Sequence, residues 1–338
     1  MVEKLLEVYH GFFLGDKTDA IIKARICILF EYYSEFIFNG PNQGELFKYY
    51  LAFLITALGI ENEDQQSLAQ QAGNALSELF SDEDYHQKMN EYIPDILEKL
   101  CQYIDGLKSY TLFDIILDIL KAHSAFLAEN SNLFLNLCRL LANRAVGEYE
   151  LVRTKQKKGK MYIHKIWNIF LAIGERRELV TKYLSDIEKI LTPFFSYLEQ
   201  DPDVPFGDDI LKFMGSVLRI TQEVSAVQWD IFKLFPKIFE KHGGLIEAMF
   251  VPLNLIIIYG SNVINQDPAS ITFLIDMAIK ALNPNNDRAD EANCADGALM
   301  LQLIIQYLGP IQDEDWKKIL IATNIKYADA QNSFLKAR

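Results

Sequence analysis

VSAVQWDIFKLFPKIFEKHG, running from Val224 to Gly243, is the stretch on which the fold turns. Trp229, Phe232, Phe235 and Phe239 recur at three- and four-residue intervals, the spacing of one face of an α-helix. Pro236 falls within that stripe, where a helix interior would lose a hydrogen bond and kink. Such a stripe is either an aromatic binding box or the inward face of one packed piece in a larger array. The choice depends on whether the rest of the chain repeats it.

It does. In TLFDIILDILKAHSAFL, the residues Leu112, Ile115, Ile116, Ile119, Leu120, His123 and Phe126 share one helical face. With no second ligand near it in sequence, His123 reads as a core histidine rather than a metal ligand. Gly59, Gly106, Gly174 and Gly309 each follow an apolar periodic run and read as helix stops, the last reinforced by Pro310. Ser81 and Asp84 form an S-x-x-D helix start. No segment alternates with strand period. The predicted class is all-α.

The segments fall into pairs over 2–38, 44–81, 89–128, 131–174, 177–223, 226–264 and 267–308, with a final helix at 312–334. A period of roughly forty residues predicts a HEAT-type or armadillo-type array. The expectation is a right-handed superhelical solenoid of about seven helix pairs, with 1–338 as one array in which each pair buries its apolar face on its neighbours. Pro94, Pro193 and Pro236 are expected to kink first helices. Second helices carry small residues, Ala69, Ala72 and Ala75 in one and Ala292, Ala295 and Ala298 in another, which let helix axes approach. On this pattern Trp229 and its phenylalanines are predicted to be core, in a first helix kinked at Pro236, and to mark a repeat rather than a pocket.

Half of the 338 residues are apolar, and 46 acidic against 33 basic residues give a net charge of −13. That field disfavours nucleic acid and anionic membranes and favours basic protein partners. Cys27, Cys101, Cys138 and Cys294 are scattered without a C-x-x-C pair, which predicts small core hydrophobes in a reducing compartment. The five histidines are isolated from one another, so no metal site is expected. The apolar run Ala248 to Gly260 is shorter than a membrane span of ~20 residues, so no membrane insertion is expected. MVEKLLEVYHGFFLG is amphipathic and contains acids, unlike a secretory or transit peptide.

No phosphate-cradling glycine loop, zinc-protease helix or nucleophile elbow occurs, so no catalytic residue, cofactor or enzymatic activity is expected. Two surface features remain as candidate partner-binding sites. Arg153, Lys155, Lys157, Lys158 and Lys160 form a dense basic run in a segment, Val146 to Lys165, that reads as a loop. Acidic turns recur at Glu61, Glu63 and Asp64, at Asp82, Glu83 and Asp84, at Asp201, Asp203, Asp208 and Asp209, and at Asp313, Glu314 and Asp315. Helix capping accounts for some of these acids, and a surface for basic proteins for the others.

The opening stretch, continued by GGLIEAMFVPLNLIIIYGSNVI, resembles the importin-β superfamily of nuclear transport receptors (karyopherins), most closely the importin-seven and importin-eight class. The resemblance is carried by Val224, Ser225, Trp229, Leu234 and Pro236. Phe235 separates a leucine and proline that are adjacent in the family. KARICILFEYYSEF, ENEDQQSLAQQAGNALSELF and NCADGALMLQLIIQYLG resemble further family helices in the same order, so the likeness spans most of the chain. It implies a protein-binding solenoid in cytoplasm and nucleus, with basic protein cargo such as histones or ribosomal proteins, the GTPase Ran, and nucleoporins as partners. The family's N-terminal repeats, which hold much of the Ran surface, have no counterpart before Met1, so a central piece of a receptor with weak or no Ran-GTP binding is expected. The alternatives are a HEAT scaffold unrelated to transport and an enzyme whose site is assembled between repeats.

Overall fold

In a computed structural model of the chain, every regular element among the described residues is a helix. Those residues are 20–38, 43–58, 66–81, 89–104, 111–154, 161–200, 204–241, 245–282 and 291–336. The chain is all-α, and it divides into two compact units between Ile190 and Leu191.

The first unit contains α1 (Ala20–Phe38), α2 (Gln43–Leu58), α3 (Gln66–Ser81), α4 (Ile93–Ile104), α5 (Thr111–Glu129), α6 (Ser131–Arg153), α7 (Met161–Gly174) and the first part of α8 (Arg177–Gln200). One row of helices runs α1, α3, α5, α7, each packed on the next, and a second row runs α2, α4, α6. Pairs α2–α3, α4–α5 and α6–α7 tie the rows together. The sequence reason is burial on the facing stripes. Ala72, Ala75, Leu76 and Phe80 of α3 and Ile115, Ile116, Ile119 and Leu120 of α5 are all buried between the rows. Ala69, Ala72 and Ala75 occupy the buried side of α3, which is what a close axis approach requires.

The second unit contains the end of α8, then α9 (Gly207–Thr221), α10 (Ala226–Phe232), α11 (Phe235–Lys241), α12 (Ile246–Ile264), α13 (Pro268–Leu282), α14 (Glu291–Tyr307) and α15 (Asp313–Lys336). Here α9, α12 and α14 form one continuous row, while α13 packs on α15 and against α12 and α14. Glycines allow the closest approaches. A side chain at Gly297 would meet the Ala278 carbonyl oxygen at 2.8 Å, and one at Gly215 would meet Val251 at 3.0 Å. In α14 it is therefore Gly297 that makes room, whereas Ala295 and Ala298 are exposed.

Several expectations change. Only Pro193 of the three prolines lies inside a helix; Pro94 and Pro236 sit in first turns, where the missing N–H has no partner to lose. The stripe from Trp229 to Phe239 is therefore two helices and not one kinked helix. Pro252 is a second helix-interior proline, in α12. The segment after Val146 does not open into a loop at once. α6 continues to Arg153 because Glu148 and Tyr149 turn inward, with Glu148 paired to Arg144 at 3.0 Å. By length and composition α12 is also long and apolar enough to cross a membrane, although its inner apolar run alone is short. Half of that segment is buried, with Met249, Phe250, Leu253, Ile256 and Ile257 in the core of the unit.

Candidate interaction surfaces

Helix N-termini concentrate acid in the second unit, because a carboxylate there faces unpaired N–H groups and the positive end of the helix. Asp208 and Asp209 occupy the first turn of α9, and Glu247 that of α12. Asp208 binds Lys212 at 2.6 Å. The Lys212 ammonium is held above its ordinary range, first by that hydrogen bond and further by the charges of Asp208, Asp209 and Glu247. Asp296 of α14 is raised above the usual carboxylate range by partial burial and then by Glu247. Adjacent helices α9, α12 and α14 thus carry acids close enough to feel one another. Asp208, Asp209 and Glu247 act on Lys212, and Glu247 acts in turn on Asp296.

Not every sequence candidate belongs to this ridge. Asp209 is buried, so it contributes charge but offers no free surface to a partner. Asp315 is buried as well. It accepts a hydrogen bond from Thr272 Oγ1 at 2.8 Å and pairs with Lys318 at 3.2 Å, while Lys318 also reaches Asp276 at 2.9 Å. That carboxylate clips α15 to α13 and is not a docking group. Asp313 and Glu314 stay exposed, with Glu314 paired to Lys317. Glu61, Glu63, Asp64, Asp82, Glu83, Asp84, Asp201 and Asp203 lie outside the described residues. So do Lys155, Lys157, Lys158 and Lys160 of the basic run; its remaining member, Arg153, is exposed at the end of α6 and bonded to Glu150 at 2.9 Å.

Trp229 lies where the sequence does not place it. It is half-buried, and with Phe232 it forms one wall of an open cleft of about 370 Å³. Pro236 and Phe273 supply further apolar wall, while Lys233, Asp267 and Ser270 line it with polar groups. The cleft therefore lies between the α10–α11 segment and the start of α13. Two local features hold it open. Ser225 and Gln228 make a reciprocal capping box that starts α10, with Gln228 N–H donating to Ser225 Oγ at 3.1 Å. Pro236 then prevents α10 from running on into α11, since its ring would collide with the carbonyl four residues back. The expectation that this stripe marks a repeat rather than a pocket is corrected on one face: Phe232, Phe235 and Phe239 are buried, but Trp229 also borders open space. The S-A-V-Q spelling of the capping box was the available signal.

His123, Cys27 and Cys138 are core residues. His123 is buried, with Nδ1 2.8 Å from Asn90 Oδ1 and its ring edge-on to Phe80. Burial pushes the Cys27 thiol up to about 12, and Cys138 is raised still more strongly by complete burial. Both are inert as nucleophiles. Among the described residues no group of three His, Cys, Asp or Glu side chains is arranged to hold a metal.

No family model and no curated protein matches the chain. Among solved structures, an engineered protein from the Northeast Structural Genomics Consortium aligns over 94% of this chain and 82% of its own, at 13% identity and a TM-score of 0.40. A likeness at that level carries no argument about fold or function.

Proposed function

We propose that this chain is a protein-binding HEAT-type solenoid, part of a nuclear transport receptor of the importin-β kind that carries basic protein cargo in a Ran-dependent cycle. The observation that carries the reading is the placement of Asp208 and Glu247 in the first turns of two packed helices, with Asp296 on the next helix of the same row. A row of helices that presents charge at each step suits an extended basic partner better than a compact ligand, because each step adds an independent contact. The net charge of −13 attracts the same partners over longer range. Transport by such a receptor needs no chemistry of its own. The order of the family-like stretches in the sequence supports the transport assignment.

The test is a titration with a lysine-rich histone at low and high salt, with Ran-GTP retention measured in parallel. Histone binding should weaken steeply with salt, since exposed charges are screened beyond a Debye length of ~10 Å at 0.1 M. Exchanging Asp208, Glu247 and Asp296 for Asn, Gln and Asn should lower affinity about tenfold at low salt. No affinity at either salt refutes the cargo reading. A second reading, a scaffold subunit of a larger assembly, is favoured by the exposed Trp316, Leu320, Ile321 and Ile325 of α15. Absence of histone binding at both salt concentrations would favour it.

A further inference from the structure

The cleft beside Trp229 has a chemistry of its own. Its walls are flat and ring-bearing, from Trp229, Phe232, Pro236 and Phe273, and its volume of about 370 Å³ falls in the range of ligand sites. At its edge stands the carboxylate of Asp267, the N-cap of α13. The Ala269 N–H donates to one oxygen at 3.2 Å and the Ser270 hydroxyl donates to the other at 2.6 Å. Those bonds fix the carboxylate while each oxygen keeps a further acceptor site. An anionic ligand is disfavoured, because Asp267 already occupies the helix N-terminus that would attract one. Lys233, the one cation among the described residues that line the cleft, is paired with Asp230 at 2.7 Å. With Asp230 neutralising Lys233, the carboxylate of Asp267 is left as the uncompensated charge lining the cleft.

The same two elements already seat a cation elsewhere. Lys280 of α13 places its ammonium 5.0 Å from the ring centroid of Phe239 on α11. That internal contact is a cation over an aromatic face, with both partners in the protein. The cleft repeats the aromatic half of the arrangement around Trp229 and adds a fixed carboxylate.

We propose that this cleft receives an arginine side chain from an extended segment of a basic partner. The guanidinium stacks on the ring-bearing wall and donates to Asp267. This rests on the reading of the chain as a receptor for basic proteins and assigns one contact within it. Arginine is preferred to lysine because a planar, weakly hydrated guanidinium both stacks on an aromatic face and donates two parallel hydrogen bonds to a carboxylate. A purely apolar side chain would use the walls but would desolvate Asp267 without pairing it.

The test uses the full chain with indole nitrogens isotopically labelled, the Trp229 signal being identified by its loss in Trp229→Phe. A short blocked Gly/Ser peptide with one arginine is titrated in, beside otherwise identical peptides carrying citrulline or phenylalanine. The arginine peptide should move the Trp229 signal, and the uncharged citrulline peptide should not. Asp267→Asn keeps the Ala269 N–H cap but removes the charge and the acceptor for the Ser270 hydroxyl, so it should weaken arginine binding about tenfold with at most a small drop in melting temperature. Lys233→Ala should strengthen binding several-fold by removing the competing cation. Equal binding of citrulline, binding of the phenylalanine peptide alone, or indifference to Asp267→Asn would each overturn the proposal. Arginine binding without histone affinity would keep the cleft assignment and remove the receptor reading. Histone affinity with an unresponsive Trp229 would do the reverse.

Discussion

α7 and the α10–α11 segment begin from similar sequence material and end in different places. Each carries a tryptophan followed three residues later by a phenylalanine. The ring centroids are 5.7 Å apart for Trp167 and Phe170 and 5.6 Å apart for Trp229 and Phe232. α7 is one unbroken helix that is apolar on nearly every side, from Tyr162 and Ile163 to Ile173, and Trp167 is fully buried against its neighbours. α10 stops at Phe232, one turn before Pro236 would break it, and its tryptophan faces a cleft. An aromatic pair at helical spacing does not by itself specify core. Continuity of the helix that carries it, and neighbours on both sides, decide whether the rings are sealed or left as a wall.

The comparison breaks if the two tryptophans contribute equally. Trp167→Ala should cost ~3–5 kcal/mol in denaturant melts, the range for a fully buried aromatic. Trp229→Ala should cost less, ~1–3 kcal/mol, because part of its ring already faces solvent. Acrylamide should quench Trp229 and spare Trp167, and equal quenching would contradict the cleft. Smaller effects sharpen the role of the breaks around α10. Ser225→Ala removes half of the capping box and should cost ~1 kcal/mol, read as a shift in urea midpoint without a change in slope. Smallest is a gain. Gln222 ends α9 at φ 55°, a left-handed conformation that disfavours any side chain, so Gln222→Gly should raise stability by ~0.5–1 kcal/mol. A loss there would mean that the glutamine side chain holds the turn.

Helix and row were legible because apolar stripes with a 3.6 period survive in almost every segment. The inward residues of α5 can be read directly from Leu112 to His123, all of them buried, whereas Phe126 at the end of the stripe is only half-buried. What escaped depends on pairing across elements. Glu148 and Tyr149 look like a polar loop start, yet Arg144 one turn earlier neutralises the acid and lets α6 bury both. Asp209 and Asp315 read as surface acids for the same reason; their burial depends on what packs over them in three dimensions. The ridge of Asp208, Glu247 and Asp296 draws on helices far apart in sequence, and only Asp208 stood out in an acidic turn. The cleft was the least legible feature, since its two walls meet only through the fold.

Gly260, in α12, has a meaning that composition cannot convey. A side chain there would strike the indole of Trp229 at 2.7 Å and come within 3.3 Å of Val224. Position 260 therefore acts as a spacer against the cleft wall: anything larger than hydrogen forces the indole to move. In the language of sequence drift, the two positions are epistatic. Gly260→Ala alone would forfeit the cleft, while the same change following Trp229→Leu would meet a shorter, more adaptable side chain and gain the helix propensity of alanine. Lineages that keep the tryptophan should be confined to glycine at 260, and those that lose it should be free to vary there.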